Sequence, residues 1–199
     1  NGKGAFAAGN GETLTTGWKI DVGMENFARA FTDPSLRGPL LGVILWTFTF
    51  AVVSVTLTFA MGLFLAMTFN REDLRGKKVY RILMILPYAF PAFLSGLVWS
   101  GILNPQFGWL NQTLLGGATI GWLTDPFLAK ISVLVVNLWL GFPYMFLVCT
   151  GALQSLPTTL DYAARMARAG PCRVSRSLNL PLLLVSIAPL LISSFAFNF

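Results

Sequence analysis

The sequence is 199 residues long, 55% hydrophobic and only 11% charged, with a formal net charge of +6 and a mean hydropathy of +0.67. A soluble domain carries roughly 25% charged residues, so a core of this size cannot bury all the apolar surface and lipid must cover much of it. The chain has no His, which removes the commonest general base and the commonest metal ligand.

Residues 1–37 are polar and mixed, with five Gly before residue 18 and four basic residues balanced by four acids. There is no apolar h-region, so this is not a signal peptide. It reads as an extramembrane tail, or as the end of an extramembrane domain, of a longer polypeptide. Asn10-Gly11 is a turn signal, and GMENFARAFT at 23–32 fits a short helix with Phe27 and Phe31 on one face.

The first span is expected at about 39–69, where no charge occurs between Gly38 and Asn70. A hydrocarbon core of about 30 Å needs about 20 helical residues, so this run is long enough to tilt or project. NREDLRGKK at 70–78 is a charged loop. The second span, about 79–103, contains Pro87 and Pro91 and should be broken or kinked there. Residues 104–126 form a loop without Lys or Arg, in which Trp109 and Trp122 suit a membrane–water interface. The third span, about 127–152, carries Pro143. A longer loop at 153–180 holds Arg165, Arg168, Arg173 and Arg176, and a fourth span runs over 181–199. The two basic loops belong to the cytoplasmic side and 104–126 to the outside. The fold class is therefore an all-α integral membrane protein, a polytopic bundle with four transmembrane segments. The clustering of basic residues between apolar runs is a topology signal and gives no nucleic-acid footprint. Cys149 and Cys172 have no metal-ligand spacing.

Three constellations could carry function. Asn137, Leu140, Gly141 and Tyr144 fall at i, i+3, i+4 and i+7, one helical face offering an amide, a gap and a phenol. Ser194, Phe197 and Asn198 fall at i, i+3 and i+4. An aromatic ring covers the C–H face of a sugar and an amide pairs with its hydroxyls. The same groups could equally hydrogen-bond helix to helix, with Gly141 allowing close packing. The third constellation is the loop PTTLDYAARMARAGPCRVSRSLNLP at 157–181. Thr158 or Thr159 can cap a helix with Asp161 in its first turn. Ala163 and Ala167 would give that helix a smooth face for docking, and Gly170-Pro171 would end it.

Catalytic motifs are absent: there is no P-loop, no zinc-protease pattern and no nucleophile elbow. All eight acids lie outside the spans, so no intramembrane carboxylate is available for proton coupling.

Four stretches carry a resemblance: NFARAFTDPSLRGP at 26–39, LRGKKVYRILMILPYAFPAF at 74–93, VVNLWLGFPYMFLVCTGAL at 135–153 and LPLLLVSIAPLLISSFAFNF at 180–199. With them the chain resembles the larger permease subunit of bacterial maltose/maltodextrin ATP-binding-cassette importers. The resemblance implies a multi-pass protein of the bacterial inner membrane. Its partners would be a second permease subunit, an ATPase dimer that binds the ATP and Mg, and a periplasmic sugar-binding protein. The chain itself would carry no cofactor, metal or enzyme site. The resemblance places Asn137, Leu140, Gly141, Tyr144, Ser194, Phe197 and Asn198 at a maltose site. The loop helix, with Asp161, Tyr162, Ala163, Ala164, Ala167, Arg168 and Gly170, would be the coupling helix that docks in the ATPase. Permeases of this kind usually carry Glu-Ala-Ala with Gly six residues after the Glu. Here the corresponding residues are Tyr162-Ala163-Ala164 and Arg168, so a carboxylate is lost and a cation added. The alternatives are a permease for another oligosaccharide or small solute, and a non-transporting structural membrane subunit.

Overall fold

The computed structural model describes residues 5–7, 13–17, 21–70, 75–157, 166, 170–174, 177 and 179–199. The chain divides into two compact units, Asn1–Trp46 and Thr47–Phe199.

In the first unit β1 (Ala5–Ala7) and β2 (Thr13–Gly17) pair antiparallel, with Ala5 opposite Gly17 and Ala7 opposite Thr13. This small ribbon is the one departure from an all-helical chain among the described residues. Helix α1 (Glu25–Thr32) follows. Asp33 then begins α2 (Pro34–Phe69). Its Oδ1 accepts from the Ser35 backbone N–H at 3.0 Å and from the Ser35 hydroxyl at 2.6 Å. Proline at the first helical position costs nothing there, because that N–H has no intrahelical partner anyway.

The second unit begins within α2, at Thr47. Gly76, at φ +81°, ends the turn before α3 (Lys77–Ile85) in a conformation that suits only glycine. A 3-10 turn at Leu86–Ala89 leads through extended Phe90 and Pro91 into α4 (Ala92–Ile102). Pro87 and Pro91 lack N–H groups; Leu86 before Pro87 stays helical, while Phe90 before Pro91 is extended, so the helix breaks there. The two halves consequently meet at a bend of 91°, sharper than a kinked single helix. Asp125 caps α5 (Pro126–Ser155), accepting from Phe127 N–H at 2.9 Å and Leu128 N–H at 2.8 Å. After α6 (Pro171–Val174) comes α7 (Leu180–Asn198), with Pro181 in its first turn.

Helices α2, α5 and α7 are each long and apolar enough to cross a membrane, and the bent pair α3–α4 makes a fourth crossing if counted as one. The packing favours that count. Helices α2 and α5 run side by side in the same direction: Thr58 lies against Gly141, and one turn further along both, Gly62 lies against Met145 and Phe146. The chain between them must therefore return to the end at which α2 began. Helix α7 runs opposite to α5. Its Asn198 meets Asn137 at one level, and its Leu183 and Ile187 share a core with Ala66, Phe146 and Cys149 nearer the other end. In lipid such burial gains little from excluding water, so packing and interhelical hydrogen bonds hold these helices together.

Candidate functional site

The site is built where α2, α5 and α7 come together. Asn137 lies 11 residues into α5, about 17 Å from its start at 1.5 Å per residue. It therefore sits in the interior of the span. There its Nδ2 donates to Asn198 Oδ1 at 2.9 Å, and Asn198 Nδ2 donates to the Ser194 carbonyl at 2.8 Å. Two constellations 61 residues apart thus meet as one polar locus on facing helices. An amide exposed to hydrocarbon is costly, and here each amide satisfies part of the other. As the donor and acceptor lists of two amides allow several bonds each, capacity remains for a ligand hydroxyl.

Leu140, Tyr144 and Ser194 are half-buried beside this pair, and Phe197 is 92% exposed on α7. Gly141 has a defined packing duty. A Cβ there would lie 2.8 Å from the Thr58 methyl carbon. The Thr58 hydroxyl is turned back to the Ser54 carbonyl at 2.8 Å, leaving its methyl toward Gly141.

A cavity of about 280 Å³ adjoins the locus between α2, α4 and α5, with Phe50, Trp99, Ser100, Ser132, Asn137 and Leu140 among its lining. Trp99 packs edge-to-face on Trp139 with centroids 6.0 Å apart. The segment 104–125 folds at the same end around Asn111, which is 0% exposed. Asn111 Nδ2 donates to the carbonyls of Pro105 (3.1 Å) and Ile120 (2.9 Å), and its Oδ1 accepts from Trp122 Nε1 at 2.8 Å. At the other end Asn70 Oδ1 accepts from Arg81 Nη2 at 3.4 Å and Gln154 Nε2 at 3.3 Å, tying α3 and α5 to the end of α2.

Sequence reading missed three of these features. The Ser54, Thr58, Gly62, Ala66 stripe was legible as small residues every fourth position. The Asn111 network and the Asn70 node join residues far apart in sequence and left no local signal. Of the loop helix, Asp161, Tyr162, Ala163, Ala164, Ala167 and Arg168 lie outside the described residues. Gly170 is described and exposed, and its carbonyl accepts from Arg173 and Val174 N–H at 3.0 Å.

Residues 58–199 match the family of binding-protein-dependent transport system inner membrane components, and the chain belongs to that family. The chain is 45% identical over 191 residues to the maltose/maltodextrin transport system permease protein MalF of Escherichia coli (strain K12), covering 95% of this chain and 36% of that protein. It is 42% identical over 196 residues to MalF of Vibrio vulnificus (strain YJ016), covering 96% and 38%. The chain thus spans little more than a third of the curated relatives it matches. Among solved structures it superposes on a bacterial ABC transporter involved in the import of the acidic polysaccharide alginate. The TM-score is 0.76 at 22% identity, over 88% of this chain and 61% of that one. That likeness shows a shared permease fold.

Proposed function

We propose that this chain is the core of a permease subunit of an ATP-driven maltose/maltodextrin importer in the bacterial inner membrane. The observation that carries the reading is the Asn137–Asn198 pair at 2.9 Å, deep within the spans on facing helices. Asn137, Leu140, Gly141, Tyr144, Ser194, Phe197 and Asn198 would form this subunit's share of the sugar site, with amides for hydroxyls and the exposed Phe197 ring for a C–H face. Residues 1–37 and the Asn111-centred segment would face the periplasm, where a sugar-binding protein delivers cargo. The spans would continue as 39–69, 79–103, 127–152 and 181–199. The loop 153–180, with Asp161, Tyr162, Ala163, Ala164, Ala167, Arg168 and Gly170, would dock on an ATPase dimer that holds ATP and Mg. A second permease subunit would complete the path.

The identity to MalF proteins supports maltose as cargo. The face itself favours a neutral sugar over an acidic one, since none of its seven residues is Lys or Arg. The test is maltose-stimulated ATP hydrolysis by the full-length subunit assembled with its three partners in lipid. Stimulation lost in Asn198→Ala, with assembly intact, is the expected result. Unchanged stimulation in both Asn198→Ala and Tyr144→Ala would sink the cargo-site reading.

A further inference from the structure

The contacts between α2 and α5 fix a register. Thr58 faces Gly141 and Gly62 faces Met145, each pair 83 residues apart. The same offset two turns earlier pairs Phe50 with Val133, and these two line one cavity. Two turns later it pairs Ala66 with Cys149, which share one buried cluster. Between the cavity and the Thr58–Gly141 contact, that register sets Ser54 level with Asn137. Ser54 is 2% exposed, and its Oγ is buried without a hydrogen-bond partner. An unpaired buried hydroxyl is costly, more so in a low-dielectric interior. Asn137, meanwhile, gives its Nδ2 to Asn198, and the cavity beside it leaves room for the amide to turn.

We propose that Ser54 is a positioning residue of the cargo site, the partner to which Asn137 turns when cargo takes Asn198. The inference rests on the cargo-site reading above. Without cargo, Asn137 Nδ2 donates to Asn198 Oδ1 and the Ser54 hydroxyl is idle. A sugar hydroxyl then donates to Asn198 Oδ1 and displaces Asn137. The released Nδ2 donates to Ser54 Oγ, so no amide loses a bond and the idle hydroxyl gains one. Ser54 thereby lowers the cost of opening the amide pair and favours the loaded state.

The test is a double-mutant cycle on the assembled full-length complex, reading the Kd for radiolabelled maltose with wild type, Ser54→Ala, Asn137→Ala and the double variant. Recovery of intact complex serves as the control for folding. One lost hydrogen bond predicts a Kd about five-fold higher for Ser54→Ala. The double variant should bind no more weakly than Asn137→Ala alone, because without Asn137 the hydroxyl has nothing to receive. An unchanged Kd in Ser54→Ala, or effects that multiply in the double variant, overturns the proposal while leaving the cargo site standing. An unchanged Kd in Asn198→Ala, measured alongside, overturns the site reading and this proposal with it.

Discussion

Gly62→Ala is the substitution whose effect the structure specifies most closely. A Cβ at this position would lie 2.6 Å from the Met145 carbonyl carbon, 2.7 Å from Met145 Cβ and 2.7 Å from the Phe146 nitrogen. Ordinary carbon contacts are about 3.5–4.0 Å, so α2 and α5 must part locally by about 1 Å. Two of the three atoms are backbone and cannot move aside as a flexible side chain would. Overpacking of this kind costs about 1–3 kcal/mol. Alanine regains about 1 kcal/mol over glycine as a helix former, leaving a net loss of up to about 2 kcal/mol. Gly151→Ala is the control: it lies in α5 with nothing within 4 Å of the added carbon, so only the helix-forming gain applies and stability should hold or rise. Cys149 is a natural reporter, being buried in the cluster that contains Ala66, one turn beyond Gly62. Thermal labelling of Cys149 by a thiol-reactive dye, in protein whose other thiols are replaced, would follow the opening of this core. Labelling of Gly62→Ala at a lower temperature than the parent is expected. A midpoint equal to that of the parent would refute the close contact and the register derived from it.

Asn111→Ala should loosen the 104–125 segment by about 2–4 kcal/mol, since three hydrogen bonds to part-buried partners go; faster protease nicking there checks it, and unchanged nicking would count against Asn111 as the organiser. The Ser35 hydroxyl, then the Ser35 backbone N–H, and lastly Arg29 hold the Asp33 carboxyl below its ordinary range against a small opposing desolvation. A depressed folded-state pKa contributes stability above the unfolded-state pKa and loses it as pH falls through the folded one. The protection factor of the Ser35 amide, its exchange measured against the intrinsic base-catalysed rate, should accordingly fall on acidification through that range, and an unchanged protection factor would contradict the bond. Spin labels placed across α2–α5 and across α5–α7 should report a fixed first distance and a changing second one when cargo and ATP are added to the assembled importer. A changing α2–α5 distance would reverse the assignment of the rigid pair.

Much of this architecture was legible in the sequence because hydropathy alone marks charge-free runs of 20 or more residues. The break in the second span followed from Pro87 and Pro91, whose missing N–H groups act locally. Its size, 91°, did not follow, because the direction of a break is set by what each half packs against. The two polar faces were visible as helical spacing, and that they meet is a tertiary fact no spacing contains. Gly141 shows the limit well. Its position on the Asn137 face left two readings, a gap open to a ligand or a close helix contact, and the structure fills it with a methyl group from Thr58, 83 residues earlier. Ser54 belongs to a legible stripe of small residues, but its level beside Asn137 is a tertiary fact that only the register shows.

The two interfaces around the site differ in kind, and that difference bears on how a permease could alternate. Along α2–α5 the backbones approach so closely at Gly62 that no side chain intervenes, and sliding one helix past the other would drive Met145 into a side chain of α2. Such backbone contact at Gly62, with Gly141 against Thr58 one turn away, has no ready alternative arrangement. At the level of the site, the Asn137–Asn198 hydrogen bond joins α5 to α7, and interhelical hydrogen bonds in membranes average only about 0.6 kcal/mol. On the cargo-site reading, a sugar hydroxyl would replace that bond one for one. Cargo shifts a two-state equilibrium only through its differential affinity for the two states. A site that straddles the replaceable interface and leans on the rigid one supplies that difference at its weakest joint, which is why the spin-label distance across α5–α7 is the one expected to move.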